Sequence, residues 1–248
     1  MRRAAPILCL LALAAPSAAR AQAPPLRARL VACTTGAQSA DRTAAFLGSM
    51  PSFPGVRRMA MRFDLRARVP PSPDFAPLEV PGLGVWQRSQ VRRSGFIFTQ
   101  RVQALVAPGA YRAVVRYRWY GCGHHLLRKA RRVTRVCRQP DWRPDLRAGA
   151  LTVAPGPAPG AVTYRLAVRN TGRTAAGPFD VDLAQGAAAP LVSRLAAGLA
   201  AGSGTVVALA APPCAPGSTV TFMLDAKAEV AESHEADDVV TRACPLVA

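Results

Sequence analysis

From Leu26 onward, apolar and polar residues alternate with a period of two, and no stretch sustains a 3.6-residue repeat. The clearest run sets Met59, Met61, Phe63, Leu65, Ala67 and Val69 against Ala60, Arg62, Asp64, Arg66 and Arg68, giving one apolar face and one mostly charged face. This is the pattern of a half-buried antiparallel strand. Similar strands are expected around Gly84 to Val91, Phe96 to Leu105, Tyr111 to Tyr120 and His125 to Cys137. The stretch from Thr34 to Val56 is polar, broken by glycine and proline and longer than a hairpin loop, so an irregular insertion is expected there. In the second half, strands are expected up to Val153, over Val162 to Arg169, over Phe179 to Leu183, over Thr205 to Ala210, from Thr219 and from Val239. The fold class is all-β and antiparallel.

Two local features sharpen this class. Leu105-Val-Ala-Pro108-Gly109-Ala-Tyr111 runs straight into a strand and resembles the tyrosine corner of immunoglobulin-like sandwiches, in which the tyrosine hydroxyl bonds back to the preceding corner. Near the C-terminus, Cys214 and Cys244 bracket two strands joined by an acidic turn. Residues paired across a hairpin have a constant number sum. These two cysteines are therefore expected to face each other across the base of one long hairpin, as a disulfide. If the strands ending near Cys33 and Cys137 run parallel at one sandwich edge, those cysteines form the second bridge, and Cys122, at the far tip of a hairpin, is the odd thiol.

Composition places these elements. Arg2 and Arg3, the apolar run from Ile7 to Ala15 and the small residues Ala19 and Ala21 have the form of a signal peptide covering residues 1–21. That apolar run is too short to span a bilayer. A secreted, extracellular, disulfide-bearing protein that does not cross the membrane is expected. The prolines and polar residues of 140–147 mark a linker between a first domain, 22–139, and a second, 148–248. The net charge of +18 falls almost wholly before the linker, and nearly all the basic residues are arginine. Abundant Ala, Pro and Arg with scarce Lys also reflects GC-rich coding, so part of the charge is compositional.

In the second half, a leading Pro144-Asp145-Leu146, a strand ending Val168-Arg-Asn170-Thr-Gly172, a Leu195-Ala-Ala-Gly198 and the turn Val230-Ala-Glu232-Ser233-His-Glu235-Ala-Asp237-Asp238 follow one another in a characteristic order. This resembles the bacterial cell-adhesion-related (CARDB) domain over about residues 144–245. In this turn His234, Asp237 and Asp238 stand where the family usually has asparagine. The resemblance implies an immunoglobulin-like sandwich with an accessory or adhesive role and no chemistry of its own. With the tyrosine corner, the chain is expected to hold two tandem immunoglobulin-like antiparallel β-sandwiches.

Candidate chemistry is sparse. Ser233-His234-Glu235 has the residue types of a catalytic triad, but sequence neighbours do not supply triad geometry. No enzyme activity and no cofactor are expected. No metal site is expected either. The nearest candidate ligands are Glu232, Glu235, Asp237 and Asp238, which lack the spacing and tight glycine of a calcium loop and read as a solvated cap on the hairpin. The basic face of the first domain is the candidate site: Arg112, Arg116 and Arg118 share one side of a strand, with Lys129 and Arg131 on the next. Like charges opposed across strands destabilise a sheet by a few tenths to about 1 kcal/mol per pair unless an anion meets them. The expected partner is an anionic polysaccharide or cell-wall polymer, with an extracellular protein contacting the second domain. Few aromatics interleave with the arginines, which argues against nucleic acid. The leading reading is a secreted, non-enzymatic binding protein of accessory or adhesion type. The alternatives are a structural envelope protein with no specific ligand and a metal-dependent protein using Cys122, His124 and His125.

Overall fold

The structure, a computed structural model, describes residues 23–186 and 188–244. The expected signal peptide lies outside them. In the first half the strands are β1 (Arg27–Thr34), β2 (Thr43–Pro51), β3 (Arg58–Arg68), β4 (Ala76–Leu78), β5 (Gln87–Arg88), β6 (Gly95–Val102), β7 (Gly109–Tyr120), β8 (Leu126–Val133) and β9 (Cys137–Gln139). One sheet has the order β1-β2-β6, and the other β4-β3-β7-β8, with β5 also on β3 and β9 on β7. Their inner faces meet around Phe46, Met50, Met59, Met61, Phe63, Val115, Tyr117 and Trp119, all at most 2% exposed. The aromatic tips are satisfied on the facing sheet: Tyr117 donates to the Arg27 carbonyl at 2.6 Å and Trp119 to the Pro51 carbonyl at 2.7 Å.

The corner is present. The Tyr111 hydroxyl donates to the Val106 carbonyl at 2.7 Å. A Cβ at position 109 would lie 2.8 Å from that carbonyl oxygen and 3.0 Å from the hydroxyl, so glycine leaves room for the bond. Tyr111→Phe is expected to lower stability by about 0.5–1.5 kcal/mol, because it removes the hydrogen bond that closes the corner. A urea unfolding midpoint that falls at unchanged slope is the reading that checks it.

Three sequence expectations are corrected in this domain. The predicted insertion between Thr34 and Val56 contains β2, the central strand of its sheet. Its small residues Ala44, Ala45 and Ser49 are buried on both faces alongside Phe46 and Met50, so no alternation shows. Around Gly84 to Val91 only Gln87–Arg88 is strand, because Gly84 and Arg92 take positive φ and turn the chain out of the sheet. The strand expected from His125 to Cys137 is two pieces on one partner. Val133 pairs with Val114 but Cys137 with Tyr111, so one extra residue bulges between β8 and β9.

In the second half come β10 (Leu146–Pro155), β11 (Val162–Asn170), β12 (Phe179–Gln185), β13 (Leu191–Leu195), β14 (Gly204–Ala211), β15 (Thr219–Leu224) and β16 (Val239–Ala243). The sheets are β10-β11-β14 and β13-β12-β15-β16, closed over Tyr164, Leu166, Phe179, Val181, Leu183, Val220 and Phe222. β10 begins within the expected linker, since Leu146 is fully buried in this second core. Asn170, also fully buried, satisfies every bond of its amide. Its oxygen accepts the Asp145 and Gly172 N–H groups, and its nitrogen donates to the Thr174 and Leu199 carbonyls. A Cβ on Gly172 would sit 2.5 Å from the Asp145 nitrogen, which accounts for the Asn-Thr-Gly sequence.

Both disulfides form, Cys33–Cys137 and Cys214–Cys244. Their settings differ from expectation. β1 pairs with β2 and β9 with β7, so the first bridge ties the two sheets together and does not join parallel edge strands. In the C-terminal hairpin Thr219 pairs with Ala243, which sets Cys244 opposite Ser218 and not Cys214. The turn from Ala215 to Ser218 folds Cys214 back over the strand end to reach its partner.

Candidate functional site

β7 is flanked by β3 and β8, and directly opposed residues share a face. On the outer face Arg62, Arg116 and Arg131 form one cross-strand row, and Arg118 with Lys129 lies in the next. Further along, Arg66 faces Arg112. One carboxylate enters this field. Asp64 accepts from Arg62 at 2.6 Å and from Arg116 at 2.7 Å, both guanidiniums remaining substantially exposed. The segment between β4 and β5 leaves the edge of β3 and encloses a cleft of about 610 Å³ floored by Arg62, Asp64, Arg66 and Arg116.

Of the five sequence candidates, Arg116, Arg118, Lys129 and Arg131 are exposed and adjacent. Arg112 is committed elsewhere. Its guanidinium lies 4.0 Å over the Phe75 ring, and its Nε is buried without a partner. Arg118 stacks 4.2 Å over Trp86 and keeps an exposed edge. Sequence reasoning missed Arg62 and Asp64 as members of the face. Both sit on the charged side of the first strand pattern, but nothing local says that β3 pairs with β7.

The acidic turn is not the solvated cap that was expected. Backbone bonds stitch it to the start of β10: Ser233 N–H to the Pro144 carbonyl at 2.9 Å, and Ala148 N–H to the Asp237 carbonyl at 3.1 Å. Glu232 is 1% exposed and accepts from the Leu146 N–H, and Asp238 is 5% exposed. Burial, with Glu235, Asp225 and Asp145 nearby, pushes the Glu232 carboxyl up to about 7. Burial, with Glu232, Glu235, Asp237 and Asp225 nearby, pushes Asp238 up to about 8. Arg147 holds one Asp237 oxygen at 2.9 Å.

Ser233 and His234 converge on the buried Asp145, at 2.7 and 2.8 Å. Burial alone would raise the Asp145 carboxyl. Hydrogen bonds from Thr171, Ser233, His234 and Arg147 outweigh it and hold the group far below the carboxylate range. This is no triad: the serine donates to the aspartate itself, and a single histidine nitrogen, Nδ1, faces both. In a triad the imidazole stands between the two and uses both nitrogens. The histidine and cysteine of the β7–β8 tip are also occupied. His125 Nδ1 meets the Cys122 carbonyl, while the exposed Cys122 thiol accepts from Arg57 at 3.3 Å. That hydrogen bond and the Arg57 charge lower the thiol pKa. Among the described residues, Cys122, His124 and His125 do not form a ligand set; Glu232, Glu235 and Asp238 do.

Comparison with known proteins adds to this geometry. No curated protein matches the sequence. A solved structure, the FN1–FN3 domains of chicken CNTN1, aligns over 82% of this chain at 10% identity with a TM-score of 0.21, and the chain spans 59% of that structure's length. The CARDB family model matches residues 143–242. Its bounds enclose β10 to β16 almost completely, together with the buried Asn170 and the stitched acidic turn. Over residues 143–242 the second sandwich is thus similar to the CARDB family.

Proposed function

We propose that this is a secreted, extracellular binding protein of accessory or adhesion type. Its basic first sandwich holds an anionic polymer of a cell surface or matrix, and its CARDB domain serves as spacer or protein contact. Two disulfides support a location outside the reducing cytoplasm. Among the described residues no helix is long and apolar enough to cross a membrane. CARDB and immunoglobulin-like sandwiches are typically non-catalytic, and binding is the role they suit.

The observation that carries the ligand class is the row Arg62–Arg116–Arg131 beside Arg118–Lys129, five cations on one sheet face with Asp64 inserted between two of them. A repeating carboxylate or phosphate polymer would replace the missing countercharge along both rows. Arg112, wedged on Phe75, takes no part.

Asp64 provides the test. It competes with any external anion for Arg62 and Arg116. Asp64→Asn is therefore expected to strengthen binding to immobilised heparin and polygalacturonate several-fold at low salt and to raise the salt needed for elution. Unchanged or weakened binding by a folded variant, or wild-type binding indifferent to salt, defeats the proposal and leaves a purely structural role for the charges.

A further inference from the structure

We propose that Glu232, Glu235 and Asp238 together hold one divalent cation, calcium, which pins the segment between β15 and β16 to the start of β10. Oxygens of the three carboxylates all lie within 4.8 Å of one another. Two oxygens each about 2.4 Å from the same calcium ion are at most about 4.8 Å apart, so this spread suits a shared ion. Proximity alone is common among acidic residues. A second observation singles out this group: Glu232 and Asp238 are 99% and 95% buried, and Glu232 Oε1 and Asp238 Oδ1 have no hydrogen-bond partner at all. Buried polar atoms are almost always paired, and buried charge is paired or bound to metal.

Among the described residues no lysine or arginine forms a salt bridge with any of the three. Arg147 is spent on Asp145 and Asp237, and Arg143 on Asp141. His234 is turned to Asp145. The remaining contacts orient the ligands. Leu146 N–H fixes the second Glu232 oxygen, and the Glu232 N–H bonds Glu235 Oε1 at 3.2 Å. An all-oxygen donor set without cysteine or imidazole selects a hard cation. Calcium, which tolerates irregular geometry and completes six to eight ligands with carbonyls and water, suits it better than magnesium, which requires a near-ideal octahedron. Glu235 is exposed, so the ion has a path from solvent.

This inference does not depend on the arginine face. Mature protein stripped with a chelator is titrated with calcium chloride by calorimetry, and its thermal unfolding is followed with and without the ion. One saturable site is expected at about 10⁻⁴–10⁻³ M or tighter, the range of extracellular modules. At a hundredfold excess over the dissociation constant the folded-to-unfolded ratio rises about a hundredfold. Glu235→Gln, at the exposed ligand, is expected to weaken calcium binding at least about tenfold. In chelator the same variant unfolds at an equal or higher temperature, because it removes a negative charge beside the buried Glu232 and Asp238. A ligand that served only structure would not give that reversal. Asp238→Asn is the second variant, should the first fail to fold. Absence of a saturable calcium response up to about 10 mM overturns the site. So does wild-type calcium affinity in both variants, and magnesium binding as tight as calcium overturns the choice of ion.

Discussion

Replacing Cys33 and Cys137 together by alanine is expected to destabilise the first sandwich by about 4–5 kcal/mol, the size given by loop-closure entropy for a bridge of this span. The two residues are 104 apart in sequence. The same relation gives about 3.5 kcal/mol for Cys214–Cys244, whose separation is 30. The native contacts point the same way. Cys137 is fully buried in the first core, and the bridge links β1 in one sheet to β9 in the other. Its loss frees the N-terminal strand, which is otherwise held in its sheet by β2 alone. Urea unfolding of the double variant should show an early transition for the first sandwich, while the second sandwich keeps its midpoint. The comparison belongs in a Cys122→Ser background. Cys122 is exposed, and the Arg57 hydrogen bond favours its thiolate, so a bridge left half-formed would otherwise exchange with it. A single transition, unmoved by the double substitution, would show that sheet packing alone carries the domain.

What was legible in the sequence follows how local each determinant is. β3, β7, β11 and β15 alternate because one face of each meets the core and the other meets solvent, and that contrast is written residue by residue. The tyrosine corner closes between residues five apart and was equally readable. β2 was not, because small side chains buried on both faces erase the alternation and imitate a loop. The pairing of the cysteines was visible, but the hairpin register was not. A four-residue turn at Ala215 to Ser218 breaks the constant-sum rule without leaving a hydrophobic signature.

The candidate sites divide in the same way. Arg116, Arg118, Lys129 and Arg131 lie on consecutive strands of one hairpin, so their common face followed from parity. Arg62 and Asp64 join them only through the long-range pairing of β3 with β7. In the acidic turn the composition was plain, but the burial was not. Glu232 and Asp238 are enclosed because the loop is stitched to Pro144, Leu146 and Ala148, some 90 residues earlier in the chain. Five acidic residues between Glu229 and Asp238 ordinarily read as a solvated turn, and here the tertiary contacts reverse that reading.

Arg116→Glu combined with Arg118→Glu is the substitution that most directly separates binding from folding. Position 116 lies between Arg62 and Arg131, and position 118 opposite Lys129. Each reversal turns a like-charged row into an alternating one, and opposite-charge cross-strand pairs contribute about 0.2–1 kcal/mol each. Against this stand the lost bond from Arg116 to Asp64 and the lost stacking of Arg118 on Trp86. The two sides are of similar size, so stability is expected to stay within about 1 kcal/mol of the parent. Binding should respond very differently. Two contacts vanish and four units of charge change at the centre of the face, where a repeating anion would lie. Affinity for heparin or polygalacturonate at low salt is expected to fall about a hundredfold, with a flatter dependence on salt. The control carries the same change in net charge on the outer face of β11, with Arg165→Glu and Arg169→Glu, both exposed in the second sandwich. If that control loses as much binding as the β7 variant, attraction is a property of net charge alone and the arginine rows are not a site. If it binds like the parent while the β7 variant does not, the ligand lies across β3, β7 and β8.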